Sequence, residues 1–259
     1  MIASRVTFYL ASQGIPGWQL NEIKHLASLF RSVVVLVNIT QCKRANIEHS
    51  LKILSIKNCA GDMCQLVIEG LDAELACMVF SEYFSEKHYL IATTHSQKRM
   101  TEEDIQELPV KSLKVPASWF FIEEASSCIE EVLAQAAILA STTHYDEILN
   151  ALLSREKVSS TQISDRFALP HVMTPHVDEI VVITHFIDCS VQWTENKAKP
   201  ELALTLLIPA NKDTETLQAC VRLTRWLLDS GHQQLIIDNR EDFLIKEITT
   251  HIMACYQPT

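Results

Sequence analysis

Apolar and polar positions along the first 85 residues alternate in two periods. Val6, Phe8 and Leu10 recur every second residue, as on a half-buried strand, and Gly14-Ile15-Pro16-Gly17 then turns the chain. Leu20, Ile23, Leu26, Ala27 and Phe30 follow at helical spacing and give one apolar face. Val33 to Ile39 is β-branched and predicts a strand, Ile47 to Leu54 a two-turn helix, and Cys64 to Ile68 a further strand that Gly70 stops. Asp72 precedes Ala73, Leu75, Ala76, Val79, Phe80 and Phe84, which predicts a capped amphipathic helix packed on the sheet. From Ser85 to Pro116 the pattern weakens into charge, Ser and Pro, with one short helix predicted at Thr101-Glu102-Glu103-Asp104.

Beyond this joint, Ile129, Val132, Leu133 and Ala136 mark a helix, and Ile148, Leu149, Leu152 and Leu153 a second. Strands are predicted at Ile180–Phe186 and Leu202–Ile208. A helix over about Thr214 to Asp229 follows, and then a final helix after Asp238, whose side chain is expected to pair with Glu241 in a capping box. The expected class is α/β (α+β) in two domains, residues 1–85 and 117–259, with 86–116 as linker. A length of 259 residues suits two cores of ordinary size.

The formal charge of −10 opposes the phosphates of nucleic acid and the anionic face of a membrane, so neither is expected as a general partner. The apolar runs at Ser32–Ile39 and Leu202–Pro209 are too short to span a bilayer, and the N-terminal stretch is too short for a secretory signal. The expected location is the cytoplasm. Eight cysteines without a C-x-x-C pair read as mostly buried free thiols, with no metal or cofactor expected.

Five glycines, at 14, 17, 61, 70 and 231, cannot form a P-loop or a dinucleotide-binding fingerprint, and G-x-S-x-G and H-E-x-x-H are absent. Hydrogen-bonding groups concentrate between Ser154 and His171, in a segment expected to be a loop between helix and strand. His171 follows Pro170, whose fixed φ narrows the approach, and a neutral imidazole can attack phosphorus without a separate base. Arg155 can spread donors over phosphoryl oxygens, and Asp165 can orient either the other ring nitrogen or the arginine. Taken alone, these residues also suit a surface Pro-His loop and a favourable charge at a helix C-terminus. His171, His176 and His185 also admit a zinc-ligand reading, although no fourth ligand converges on them.

The run Leu152-Leu153-Ser154-Arg155-Glu156-Lys157-Val158-Ser159-Ser160-Thr161, followed by Phe167-Ala168-Leu169-Pro170-His171, resembles the fructose and mannitol type of enzyme IIA domain of the bacterial sugar phosphotransferase system. The resemblance covers most of residues 117–255 and includes Leu206-Leu207-Ile208-Pro209-Ala210. It implies that His171 is the phosphoryl acceptor, Arg155 contacts phosphate, Asp165 helps to form the site, and Thr161 supports it. It also implies an HPr-type donor and a permease IIB/IIC acceptor, with membrane contact only through that permease. Val172 and Arg166 depart from the residues usual in the family. Thr216 stands where many members carry a second histidine, and it can donate a hydrogen bond but cannot act as an imidazolium.

Residues 4–85 are similar to HPr, the histidine phosphocarrier of the same system, an open-faced β-sandwich. Gly14-Ile15-Pro16-Gly17-Trp18-Gln19 aligns with its active-site box, so Pro16 replaces the nucleophile and Trp18 the arginine. Ser50 takes the place of the regulatory serine of some HPr proteins, and His25 reads as structural. The implied role of this half is docking, with Trp18 and Ile15 expected on an exposed turn. The expected function is phosphoryl carriage through His171; the rival is a regulatory protein whose partner binding follows the phosphorylation state of His171.

Overall fold

The computed structural model describes residues 3–11, 14–94, 100–210 and 213–255. The chain divides into two compact units, Met1–Ser112 and Leu113–Thr259. In the first, β1 (Ala3–Tyr9), α1 (Gly17–Ser28), β2 (Val33–Asn38), β3 (Lys43–Asn46), α2 (Ser50–Ser55), β4 (Met63–Glu69), α3 (Ala73–Lys87), β5 (Tyr89–Thr93) and α4 (Glu102–Gln106) follow in order. The strands form an antiparallel sheet in the order β3-β2-β4-β1-β5. Val6, Phe8, Val34, Leu36, Leu66 and Ile68 turn one sheet face toward Leu20 and Ile23 of α1 and Ala76, Phe80 and Phe84 of α3, and all of these are buried. The apolar periodicity of strands and helices thus meets in one core.

Two strands lie outside the elements expected from the sequence. β3 is Lys-Arg-Ala-Asn, with only Ala45 turned into the core, and it exists because its backbone pairs with β2 from Val35↔Asn46 to Asn38↔Lys43. β5 lies inside the expected linker and follows α3 with only the extended His88 between them. Pairing with β1 makes it a sheet edge, so the first unit runs on to Ser112. Asp72 sits at the N-terminus of α3 but does not cap it. Its carboxylate accepts from the backbone N–H of Arg31, at 2.7 Å, and from the Ser32 hydroxyl, contacts that hold its pKa below the usual range and tie α3 to the start of β2. Ile15 is buried, whereas Trp18 is exposed beneath the Lys87 ammonium, so the expected docking pair does not share a surface. Gly14 is required at its turn, since its φ is +74° and a Cβ would stand 2.4 Å from the Asn58 carbonyl oxygen.

His88, which is buried, stacks between Phe8 and Phe84. The Ala11 N–H donates to its Nδ1 at 3.3 Å, and its Nε2 lies 2.6 Å from the Gln19 side-chain nitrogen. Burial, aided by the Lys87 charge, lowers its pKa from 6.5 to about 4. A depressed histidine pKa means that the unfolded state takes up the proton first. The stability is whole above pH 6.5 and falls between pH 6.5 and 4, by about 3 kcal/mol if the shift is fully expressed. Urea titrations followed on β1 amide resonances are expected to show this loss, and His88→Phe is expected to remove most of it.

The second unit runs β6 (Ala117–Ile122), α5 (Ile129–Ala140), α6 (Tyr145–Val158), β7 (Phe167–Ala168), β8 (His171–Thr174), β9 (Ile180–Phe186), β10 (Leu202–Pro209), α7 (Thr214–Trp226), α8 (Ser230–Asp238) and α9 (Asp242–Cys255). β6 runs parallel to β9, β9 antiparallel to β10, and β10 parallel to both β7 and β8 along its far side. Leu133, Ala136, Ala137, Ile148 and Leu152 of α5 and α6 cover Ile183 and Leu207 on one sheet face. Trp119 reaches α9 instead, donating to the Thr249 hydroxyl at 3.0 Å. Helices therefore flank the sheet, which explains why β9 and β10 are nearly continuous apolar runs.

The expected helix over 214–229 ends at Trp226, and Asp229 caps a separate α8 by accepting from the Gly231 N–H at 2.8 Å. Asp238 belongs to the end of α8, where it accepts from Gln234 at 2.6 Å, and α9 starts only at Asp242, so Asp238 is not the residue at its head. None of the eight cysteines forms a disulfide. Cys64, Cys77 and Cys220 are buried while Cys59 and Cys189 are exposed, fewer buried thiols than the pattern implied. Among the described residues, no helix is long and apolar enough to cross a membrane.

Candidate functional site

α6 sets the site. Ile148 and Leu152 bury its inner face, and continuing that register by four residues brings Glu156 to the same stripe at the last turn, with Arg155 beside it. The arginine suits a helix C-terminus, where the dipole favours positive charge. Its Nη1 donates to the carbonyl oxygen of Ser159 at 2.9 Å and to the Ser159 hydroxyl at 3.2 Å, closing the end of the helix. Its Nη2 lies 3.4 Å from Nε2 of His171.

His171 is the first residue of the edge strand β8, not part of a loop, and it is half-buried. Parallel pairing with β10, in register His171↔Leu206, places it, and the Leu206 N–H donates to the Pro170 carbonyl at 2.8 Å. Nδ1 of the ring is 2.9 Å from the Leu169 carbonyl oxygen. A carbonyl can only accept, so Nδ1 carries the proton; a guanidinium can only donate, so Nε2 presents its lone pair toward Arg155. The two contacts agree on one tautomer. Nε2 is thus the ring nitrogen with an available lone pair, and the Leu169 carbonyl is placed to accept from Nδ1–H.

The other expected site residues lie differently. Asp165 is exposed and, among the described residues, hydrogen-bonds neither His171 nor Arg155: Leu169 takes the orienting position at Nδ1 and Ser159 holds the guanidinium. Thr161 is buried and donates its hydroxyl to Glu156, while its carbonyl oxygen accepts from the Leu169 N–H at 2.9 Å. Thr216 is buried in the first turn of α7. Both its N–H and its hydroxyl donate to the Asp213 cap, at 2.8 and 2.7 Å, so its hydroxyl proton is not free to meet a phosphoryl oxygen.

Arg166 chelates Glu201 and also donates to Gln234, while Val172 packs into the cluster around Leu133 and Ile148. The candidate zinc histidines are spread apart. His185 is buried, donating Nε2–H to the Glu124 carbonyl at 2.9 Å, while His176 stacks on His144 with centroids 4.7 Å apart. Among the described residues, no group of three or more His, Cys, Asp or Glu side chains is placed to hold a metal ion.

Residues 115–250 match the family model described as "Phosphoenolpyruvate-dependent sugar phosphotransferase system, EIIA 2". The chain is 24% identical over 157 residues to "Multiphosphoryl transfer protein 2" of Escherichia coli (strain K12), an alignment covering 60% of this chain and 18% of that protein. It is 26% identical over 109 residues to the "Nitrogen regulatory protein" of Bradyrhizobium diazoefficiens, covering 42% of this chain and 71% of the relative. Among solved structures, the nitrogen regulatory protein IIA-Ntr from Neisseria meningitidis aligns with a TM-score of 0.42 at 18% identity, over 51% of this chain and 92% of that one.

Proposed function

We propose, for a chain that belongs to the EIIA 2 family of the phosphoenolpyruvate-dependent sugar phosphotransferase system by a match over just over half of its length, that His171 carries a phosphoryl group on Nε2. The observation that carries this reading is the pair of contacts on the imidazole, an acceptor at Nδ1 and a guanidinium at Nε2. The donor is an HPr-like phosphohistidine. As the Nε2 lone pair forms the new N–P bond, the donor's own P–N bond breaks and its electron pair returns to the donor ring. Arg155 meets the charge spread over the equatorial oxygens, and the Leu169 carbonyl accepts from the Nδ1–H of the charged phosphoimidazole. The acceptor is a fructose- or mannitol-type permease component, and the setting is the cytoplasm.

The first unit is proposed to be an HPr-like docking module without phosphate chemistry of its own. The order βαββαβα of its elements from β1 to α3 and the run β3-β2-β4-β1 within its sheet support this, and Pro16 at the head of α1 has no side-chain nucleophile.

A regulatory role is the second reading, in which phosphorylation of His171 changes the binding of a partner and no sugar is served. It is favoured by Thr216, which puts no second imidazole at the head of α7 and whose hydroxyl is committed to Asp213. The likeness to a protein named for nitrogen regulation agrees with it. Incubating the purified chain with phosphoenolpyruvate, enzyme I and an active HPr is expected to add one acid-labile phosphoryl group by intact mass. Absence of that group from folded protein sinks both readings. Passage of the label to a membrane sugar component selects the carrier, and retention of the label selects the regulator.

A further inference from the structure

Glu156 stands out once the site is traced outward. A carboxylate at a helix C-terminus opposes the dipole, and this one is half-buried, so something must hold it there. Three donors do. The Thr161 N–H reaches both carboxylate oxygens, at 3.1 and 3.0 Å, the Thr161 hydroxyl binds Oε2, and the buried Trp193 indole N–H binds Oε1 at 3.1 Å. Trp193 itself is set in an apolar cluster with Val132, Ala168, Ile187 and Val191.

From Thr161 the contacts run on to the imidazole. The Thr161 carbonyl takes the Leu169 N–H, and the Leu169 carbonyl takes Nδ1–H of His171. One turn of α6 therefore reaches the ring at both nitrogens, directly at Nε2 through Arg155 and indirectly at Nδ1 through Glu156.

We infer that Glu156 is a positioning residue: clamped by Thr161 and Trp193, it fixes the Leu169 carbonyl and so holds His171 in the tautomer that leaves Nε2 free to take a phosphoryl group. Its functional consequence rests on the proposed role of His171; its structural content does not. A free imidazole in water prefers the proton on Nε2, the nitrogen that must be bare here, so the tautomer needs such enforcement.

The test uses full-length protein labelled with nitrogen-15 on histidine, with the tautomer read from the long-range proton–nitrogen couplings of the His171 ring and with His144 and His176 as internal references. Wild type is expected to show Nδ1–H in roughly tenfold excess. In Glu156→Gln an amide NH2 replaces one acceptor oxygen, so in either orientation it faces a donor, the Thr161 N–H or the Trp193 N–H. That excess is expected to fall to near parity, while the initial rate of phosphoryl uptake falls about tenfold at unchanged final stoichiometry. Trp193→Phe, which removes one clamp and keeps the ring volume, is expected to shift the ratio part of the way, and it serves as the readout if Glu156→Gln fails to fold.

An unchanged tautomer ratio in a folded Glu156→Gln protein overturns the inference, even if His171 is phosphorylated normally. A shifted ratio in a protein that never takes up phosphate upholds the positioning role and removes the carrier reading instead.

Discussion

Full-length protein carrying His171→Ala is expected to acquire no acid-labile phosphate from phosphoenolpyruvate, enzyme I and HPr, under conditions in which wild type acquires one equivalent. The effect is complete because the proposed nucleophile itself is removed and, among the described residues, neither Asp165 nor Thr216, the other residues expected at the site, can take its place. Asp165 is exposed and hydrogen-bonds neither His171 nor Arg155, and the Thr216 hydroxyl is committed to Asp213. The stability cost is expected to be small, about 1 kcal/mol for one hydrogen bond at a half-exposed ring, so circular dichroism and melting should separate lost chemistry from lost fold. Label that survives His171→Ala would place the acceptor elsewhere, and peptide mapping of that label would then locate it.

Arg155→Ala carries the second largest expected effect, a fall of roughly a hundredfold in the initial rate of phosphoryl uptake. The guanidinium does two jobs from one position. Nη1 closes the end of α6 on Ser159, and Nη2 faces Nε2 of His171, the nitrogen proposed to take the phosphoryl group. Arg155→Lys separates these jobs. A lysine keeps the charge but cannot donate to Ser159 and the phosphoryl group in a fixed fork, so it is expected to recover about tenfold of the lost rate. Stopped-flow or quenched-flow uptake measured for both variants decides the matter. Equal rates for Arg155→Ala and wild type would show that the guanidinium serves only to close the helix.

Most elements of this fold were legible as period and punctuation, because a strand or helix that buries one face must repeat apolar residues every second or every third to fourth position. α1, α3 and α5 obey that rule, while β9 and β10, flanked by helices, read as nearly continuous apolar runs. β3 and β8 do not. Lys43–Asn46 and His171–Thr174 are short edge strands stabilised by backbone pairing with β2 and β10, and backbone hydrogen bonds leave no mark on side-chain pattern. The same blindness explains Asp72, whose position before α3 suggests a cap but whose carboxylate is drawn instead to Arg31 and Ser32, forty residues distant in sequence.

The site divides along the same line. The residue types at 155 and 171 and the proline before the histidine allowed a nucleophilic imidazole with a guanidinium partner, because those chemistries belong to the side chains themselves, but they allowed a surface loop equally, and the resemblance of the longer run to enzyme IIA domains singled them out. Glu156 was within reach as well, since it continues the buried stripe of Ile148 and Leu152. Which ring nitrogen is bare, that a backbone carbonyl and not Asp165 orients the ring, and that Thr161 and Trp193 converge on Glu156 required the fold. Each depends on a contact between groups whose meeting is set by strand pairing and core packing, and such distances are created only when the chain closes on itself.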